Sequence, residues 1–209
     1  ELMPGDVLCE DGEELPYVGY VREGSLCMGK LLPDGRSHII GLVVQGDFFG
    51  RLDGSPTSYR IEALDRVRLH LFERAGFERI LRQAPSVERL FQSRMVDDLE
   101  AAREWILLLR ATRVSVRLAS FLLILMRRQF NGPPEALAGK PVRLRIPLRR
   151  AVLAQYLGTR PESLSRAFHQ LQAAQVLRII DANTVTFDDL PALVAAAGQD
   201  PAAPVVLHG

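Results

Sequence analysis

The sequence predicts a mixed α+β chain: a β-rich N-terminal part, a long central helix and a C-terminal unit that alternates helices with a hairpin. Three observations carry this expectation. Up to about Leu81, short apolar runs are punctuated by Gly- and Asp-containing turns. Past Pro85 the apolar residues recur at spacings of three and four. The stretch Leu157 to Leu171, reading LGTRPESLSRAFHQL, then has the form of a helix-turn-helix recognition segment.

In the first part the expected strands are Val7 to Cys9, Tyr17 to Val21, Leu26 to Leu32, Ser37 to Val44, Arg60 to Ala63 and Val67 to Phe72. Turns at Asp11-Gly12, Glu23-Gly24, Pro33-Asp34-Gly35 and Gln45-Gly46-Asp47 separate them, and this regular punctuation predicts a barrel or roll. Asp34-Gly35, between two Leu/Ile-rich runs, is the strongest local hairpin signal in the chain. Met95, Leu99, Ala102, Ile106 and Leu109 then form a heptad-like seam flanked by Glu100, Arg103, Glu104 and Arg110. Such a seam pairs helices, and a twofold protein can address a twofold DNA site with two recognition helices about one duplex turn, roughly 34 Å, apart. A single amphipathic helix packed on its own domain would read similarly over so few turns. A second helix is expected from Thr112 or Arg113 to Gln129, ended by Asn131-Gly132-Pro133-Pro134, and Val142 to Ile146 alternates like a short strand. Leu148 to Leu157 supplies the first helix of the helix-turn-helix. Val176 to Ile180 and Thr184 to Phe187, around Asp181-Ala182-Asn183, form a hairpin wing, and a short helix follows Asp188. The expected organisation is 1–84 roll, 85–111 dimerisation helix and 112–209 winged helix-turn-helix.

Composition narrows the class. The chain has 209 residues, 47% hydrophobic content and a net charge of +1, ordinary values for folded domains with cores. Its longest apolar run, Phe121 to Met126, falls far short of the roughly 20 residues a membrane span needs, and no leader pattern opens the chain. The reading therefore expects a cytoplasmic protein with no membrane partner, trimmed ahead of Glu1. Charge is unevenly spread: between Lys140 and Ile180 eight cations face the single acid Glu162, a surface suited to a polyanion. No Gly-x-x-x-x-Gly-Lys-Ser/Thr, His-Glu-x-x-His or Gly-x-Ser-x-Gly pattern is present, so catalysis is not expected.

On the recognition helix, Pro161 takes a first-turn position, Glu162, Ser165 and Arg166 share one face, and Leu164, Phe168 and Leu171 share the opposite one. Arg166 can donate two hydrogen bonds to guanine O6 and N7, Glu162 can accept from cytosine N4 on the opposing strand, and Ser165 can meet a thymine or adenine edge. Thr159, Arg160 and Ser163 are candidates for phosphate contacts, which fix register without reading sequence. The competing reading makes Glu162 and Arg166 an i, i+4 ion pair on a solvated face.

The Gly-Asp-Phe-Phe-Gly turn (Gly46 to Gly50), the long helix and the Glu-Ser-Leu-Ser-Arg run (Glu162 to Arg166) together resemble the CRP/FNR superfamily of bacterial transcription regulators over essentially the whole chain. Leu99-Glu100-Ala101-Ala102-Arg103-Glu104-Trp105 and Ala119-Ser120-Phe121-Leu122-Leu123 look closest to its FnrL and FixK branch. The resemblance implies an N-terminal cyclic-nucleotide-binding-like β-roll, a homodimer on double-stranded DNA, RNA polymerase as a further partner, and target genes of low-oxygen or redox metabolism. The Glu-x-x-Ser-Arg pattern implies FNR-type specificity, TTGAT with its inverted repeat. CRP-type members instead carry an Arg before the Glu and a Gly before the final Arg, where this chain has Pro161 and Ser165.

The same resemblance frames the effector question. Cyclic-nucleotide binders hold the phosphate with a Gly-Glu-Leu turn and a downstream Arg-Ser or Arg-Thr. Here Phe49-Gly50-Arg51-Leu52 and Thr57-Ser58 stand in those places, which disfavours cAMP; Arg51 and Arg60 are read as hairpin-surface arginines. A 4Fe-4S cluster is disfavoured as well, because Cys9 and Cys27 are the only cysteines and none lies between Leu52 and Phe77. Haem would have to use His38 or His70. No cofactor is evident, and the absences fit a FixK-like regulator active without a small ligand, or controlled by oxidation of Cys9 or Cys27. A ligand-gated sensor of the same fold and a winged-helix adaptor that binds protein rather than DNA stay open.

Overall fold

The computed structural model describes residues 1–32, 37–130 and 141–200. Contacts divide the chain into two units, Glu1–Glu100 and Ala101–Gly209. Asp34-Gly35, the Asn131 to Pro134 helix stop and the far C-terminus lie outside the described residues.

The first unit is built from strands β1 (Val7–Cys9), β2 (Tyr17–Glu23), β3 (Ser25–Leu31), β4 (Ser37–Val44), β5 (Phe48–Phe49), β6 (Arg60–Ala63) and β7 (Arg68–Glu73), followed by helix α1 (Arg74–Gln83). All pairings are antiparallel, in a four-stranded sheet of order β1-β6-β3-β4 and a three-stranded sheet of order β5-β2-β7. Val21, Leu26, Ile61, Ala63 and Val67 fill the core with Cys9 and Phe49. Gly24 makes the β2–β3 turn at φ +87°, where an added Cβ would lie 2.4 Å from the Arg66 carbonyl oxygen. Only glycine fits there.

Two features depart from the sequence expectation. The all-β reading continues to Leu81, but the chain turns helical at Arg74. Phe77, Ile80 and Leu81 stand at helical spacing, and Phe77, which is fully buried, meets Phe48 and Phe91 at ring-centroid distances of 5.8 and 5.4 Å. Strand β5 is missing from the reading because two residues are too few to show a period. It forms because Gly19 leaves room for the Phe49 ring, whose nearest atom would lie 2.0 Å from a Cβ at position 19.

Helix α2 (Pro85–Leu109) is continuous over 25 residues. In the second unit come α3 (Val114–Gln129), β8 (Val142–Arg145), α4 (Arg150–Tyr156), α5 (Pro161–Ala173), β9 (Arg178–Ile179), β10 (Thr184–Phe187) and α6 (Leu190–Ala196). Helix α3 buries Leu118 through Leu123 together with Leu125 and Met126, so most of its middle is core. Strands in the order β8-β10-β9 make the wing sheet. Strand β9 is shorter than the Val176 to Ile180 run because Val176 and Leu177 are drawn into the core behind α5, where the Val176 amide donates to the Leu171 carbonyl at 2.9 Å. The Trp105 ring stacks on Tyr156 with centroids 3.8 Å apart and planes 15° from parallel, and Phe121 meets both edge-on. That stack fixes the last turns of α2 against the first helix of the helix-turn-helix.

Candidate nucleic-acid interface

The turn between α4 and α5 is set by Gly158 at φ +60°. The Gly158 amide donates to Gln155 O at 3.0 Å and the Thr159 amide to Ala154 O at 2.9 Å, which closes α4 within one residue of the bend. Arg160 is the N-cap of α5 in extended conformation, and Pro161 follows at the helix start with its φ already suited to a first turn. Glu162 is the only acid in that turn, where the helix dipole favours it.

Behind the helix, Leu164, Ala167, Phe168 and Leu171 are buried. In front, Glu162, Ser165 and Arg166 are exposed, with His169 and Gln170 continuing the exposed side. No ion pair joins Glu162 to Arg166 among the described residues; instead Arg166 Nη2 donates to Ser163 Oγ at 3.0 Å. Arg160 is exposed and Thr159 and Ser163 are half-buried, at the end of α5 nearest the turn. One cleft, lined by Arg113, Ser115, Ser163, Arg166 and Gln170, lies between the start of α3 and α5. A second, of about 350 Å³, lies between α5 and the wing and includes Arg150, Ser165, His169 and Asp181. Arg150 stands 3.4 Å above the centre of the Phe168 ring, which holds a cation at the edge of the core. At the wing tip the Asn183 amide donates to Asp181 Oδ1 at 2.8 Å and holds that carboxyl below its usual range. His169 and Arg150 were not among the sequence-selected site residues. Helical spacing alone could have found His169, which stands three residues past Arg166.

Along α2 the seam residues face solvent in the isolated chain: Met95, Leu99, Ile106 and Leu109 are 37, 51, 63 and 44% exposed, and Ala102 is exposed too. Leu108, on the other side, is buried. Apolar side chains left this open along one stripe of one helix are unusual in a self-contained domain.

The polar side chains of the roll bond within it. Arg51 pairs with Asp53 at 2.7 Å and, by donating to it, holds that carboxyl well below the usual carboxylate range. Thr57 is buried, its hydroxyl donating to the carbonyls of Glu10 and Glu13 at 3.2 and 3.3 Å with Cys9 Sγ 3.6 Å away. Arg74 donates to the Leu15 carbonyl at 2.9 Å. Arg51 and Thr57, in the stretches that the resemblance aligns with a cyclic-phosphate site, are thus committed to partners within the roll, and the residues present do not fit a cyclic nucleotide. His38 lies on β4 and His70 on β7, in different sheets. The thiols do not suit oxidative control either. Cys9 and Cys27 are buried, and burial pushes the Cys27 thiol up to about 11. They also lie on strands separated by β6, Cys9 opposite core residue Ile61 and Cys27 opposite Glu62 on the other face. Two strand spacings, roughly 9.5 Å, exceed the reach of a disulfide.

Among the described residues no helix is long and apolar enough to cross a membrane. The family model described as cyclic nucleotide-binding domain matches residues 1–84, and the one described as Crp-like helix-turn-helix domain matches residues 116–196. The transcriptional activator protein FnrL of Cereibacter sphaeroides is 30% identical over 94% of this chain and 79% of its own length. The nitrogen fixation regulation protein FixK of Bradyrhizobium diazoefficiens is 31% identical over 84% of this chain and 71% of its own length. The solved structure of FixK2 from Bradyrhizobium japonicum superposes with a TM-score of 0.76 at 26% identity, covering 97% of this chain and 96% of that one. With a roll, a Crp-like helix-turn-helix and relatives that are transcription regulators rather than enzymes, the chain belongs to the CRP/FNR family of transcription regulators.

Proposed function

We propose that this chain acts as a homodimer on an FNR-type palindrome, TTGAT with its inverted repeat, and does so without a bound small-molecule effector. The observation that carries the reading is the division of α5, with Leu164, Ala167, Phe168 and Leu171 buried and Glu162, Ser165 and Arg166 exposed as one polar face. Arg166 reads guanine through O6 and N7, Glu162 accepts from cytosine N4 one turn earlier, and Ser165 meets the edge between them. Thr159, Arg160 and Ser163, at the start of the helix, hold phosphates. The exposed stripe Met95, Leu99, Ala102, Ile106 and Leu109 joins two copies along the dimerisation helix and sets the spacing of their recognition helices. The DNA-bound dimer presents itself to RNA polymerase, and the resemblance to the transcriptional activator protein FnrL and the nitrogen fixation regulation protein FixK supports low-oxygen or redox metabolism as its target.

The internal commitments of Arg51, Thr57 and Arg74 support regulation through the protein's amount rather than through a ligand in the roll. Selection of bound sequences from random DNA tests the reading. The wild type is expected to return a TTGAT palindrome, and Arg166→Ala to lose discrimination at one base pair per half-site, worth about 1 to 3 kcal/mol. An unchanged preference in that variant would remove Arg166 from the reading face.

A further inference from the structure

We infer that His169 is a fourth base-reading side chain, one that takes the acceptor edge of guanine at the base pair next to the one met by Arg166. The inference rests on the DNA-reading assignment above. Glu162, Ser165, Arg166 and His169 stand at i, i+3, i+4 and i+7, an arc of about 100° at 3.6 residues per turn, and each is exposed. A homeodomain recognition helix places its four groove-facing readers at that same spacing. Gln170, also exposed, turns the other way and lines the cleft beside Arg113.

His169 makes no hydrogen bond or ion pair among the described residues, so its imidazole is uncommitted. It faces the cleft shared with Ser165 and the wing residue Asp181 rather than the protein core. Three residues beyond Arg166, it sits about 4.5 Å farther along the helix axis, close to the roughly 3.4 Å of one base step. The neighbouring base pair is therefore the one within reach, on the side toward the wing. An imidazole presents an N–H donor, and guanine answers with two acceptors, O6 and N7, and no competing donor. Adenine sets a donor beside its acceptor, and cytosine shows only a donor.

The test compares bound-sequence selections by the full chain, His169→Ala and His169→Asn, with thermal melting of each. The wild type is expected to prefer guanine at that flanking position by about five- to tenfold. His169→Ala should lose the preference there and keep those owed to Glu162 and Arg166, while His169→Asn, whose carboxamide sets an acceptor beside its donor, should move the preference at that position toward adenine at an unchanged melting temperature. An identical preference in His169→Ala overturns the inference. So does an equal weakening on all sequences with a shallower salt dependence, the mark of a backbone contact. These results leave the wider assignment standing; a wild type that selects no sequence at all sinks both.

Discussion

Most cations of the roll sit against carboxylates, whereas the exposed arginines at the recognition helix do not. In the roll, Lys30 pairs with Asp11, Arg51 with Asp53, Arg60 with Glu10 and Glu62, Arg66 with Glu1, and Arg68 with Glu23. In the helix-turn-helix, Arg149, Arg160 and Arg166 meet no carboxylate among the described residues, and the flanking Arg178 pairs with Asp188 off the reading face. Exposed pairs contribute little stability, so the pattern in the roll is not there to hold the fold. Its effect is to cancel the field of one unit and leave the attraction for a polyanion to the other. A family built around a ligand-binding roll is here represented by a roll whose polar groups are turned on themselves.

The contrast breaks most severely at the dimer seam. Leu99 is half-exposed in the single chain, and an aspartate there would place an unpaired charge between two helices. Leu99→Asp is expected to shift the protein to monomer in sedimentation and to weaken palindrome binding by 100-fold or more, roughly 3 kcal/mol, with the roll still folded. A dimer that survives would move the interface elsewhere.

A second break lies at the support of the recognition helix, where folding stability rather than affinity is the readout. Phe168 is 2% exposed and carries Arg150 on its ring. Phe168→Ala is expected to cost about 3 to 5 kcal/mol of unfolding free energy by chemical denaturation, and to weaken DNA binding along with it. A variant that keeps its stability would mean that the helix is held mainly from elsewhere.

The roll has its own titration. Cys27 stays protonated up to about 11 in the folded chain against an ordinary 9.0, chiefly because it is buried, with the Glu62 charge adding to the effect. The folded state thus binds more protons than the unfolded one between those values, and stability falls as pH rises through them. Below pH 9 the contribution is fully present. Unfolding of the wild type and Cys27→Ala should differ in slope between pH 9 and 11, by about 2 to 3 kcal/mol over the window at most. Equal slopes would make Cys27 an ordinary exposed thiol, and rapid reaction with a thiol reagent at neutral pH would agree.

Much of this was legible in the residues, for reasons that differ by element. Apolar runs bounded by turn residues made β1, β4 and β6 readable to the residue, and Pro161 with the apolar positions of α5 fixed the reading helix. Helix α1 was hidden because it follows strand β7 at Arg74 with no turn residue between them to mark the change of period, and β5 because its pairing depends on a glycine in another strand. At the site, Glu162, Ser165 and Arg166 followed from spacing, whereas the hydrogen bond from Arg166 to Ser163 did not. That contact depends on rotamers, which sequence periodicity does not encode. The commitments of Thr57 and Arg74 were equally out of reach, since their acceptors lie 44 and 59 positions away in the chain.

The smallest expected effect tests the contrast most directly, by deleting one cation from each unit. Arg160 is exposed, without a carboxylate, at the N-cap of α5, where a phosphate can meet both its guanidinium and the first free amides of the helix. Arg160→Ala removes one neutralised phosphate, so the slope of log affinity against log salt should become shallower by about 0.9 per protomer, with the selected sequence unchanged. Arg51→Ala removes a charge already cancelled by Asp53 at 2.7 Å and should leave that slope as it is. Melting temperature controls for folding in both. The two variants carry the same formal change in charge, so a difference between them can come only from where each charge sits. If both slopes moved alike, DNA would be sensing net charge alone, and the partition of paired and unpaired arginines between the units would have no part in binding.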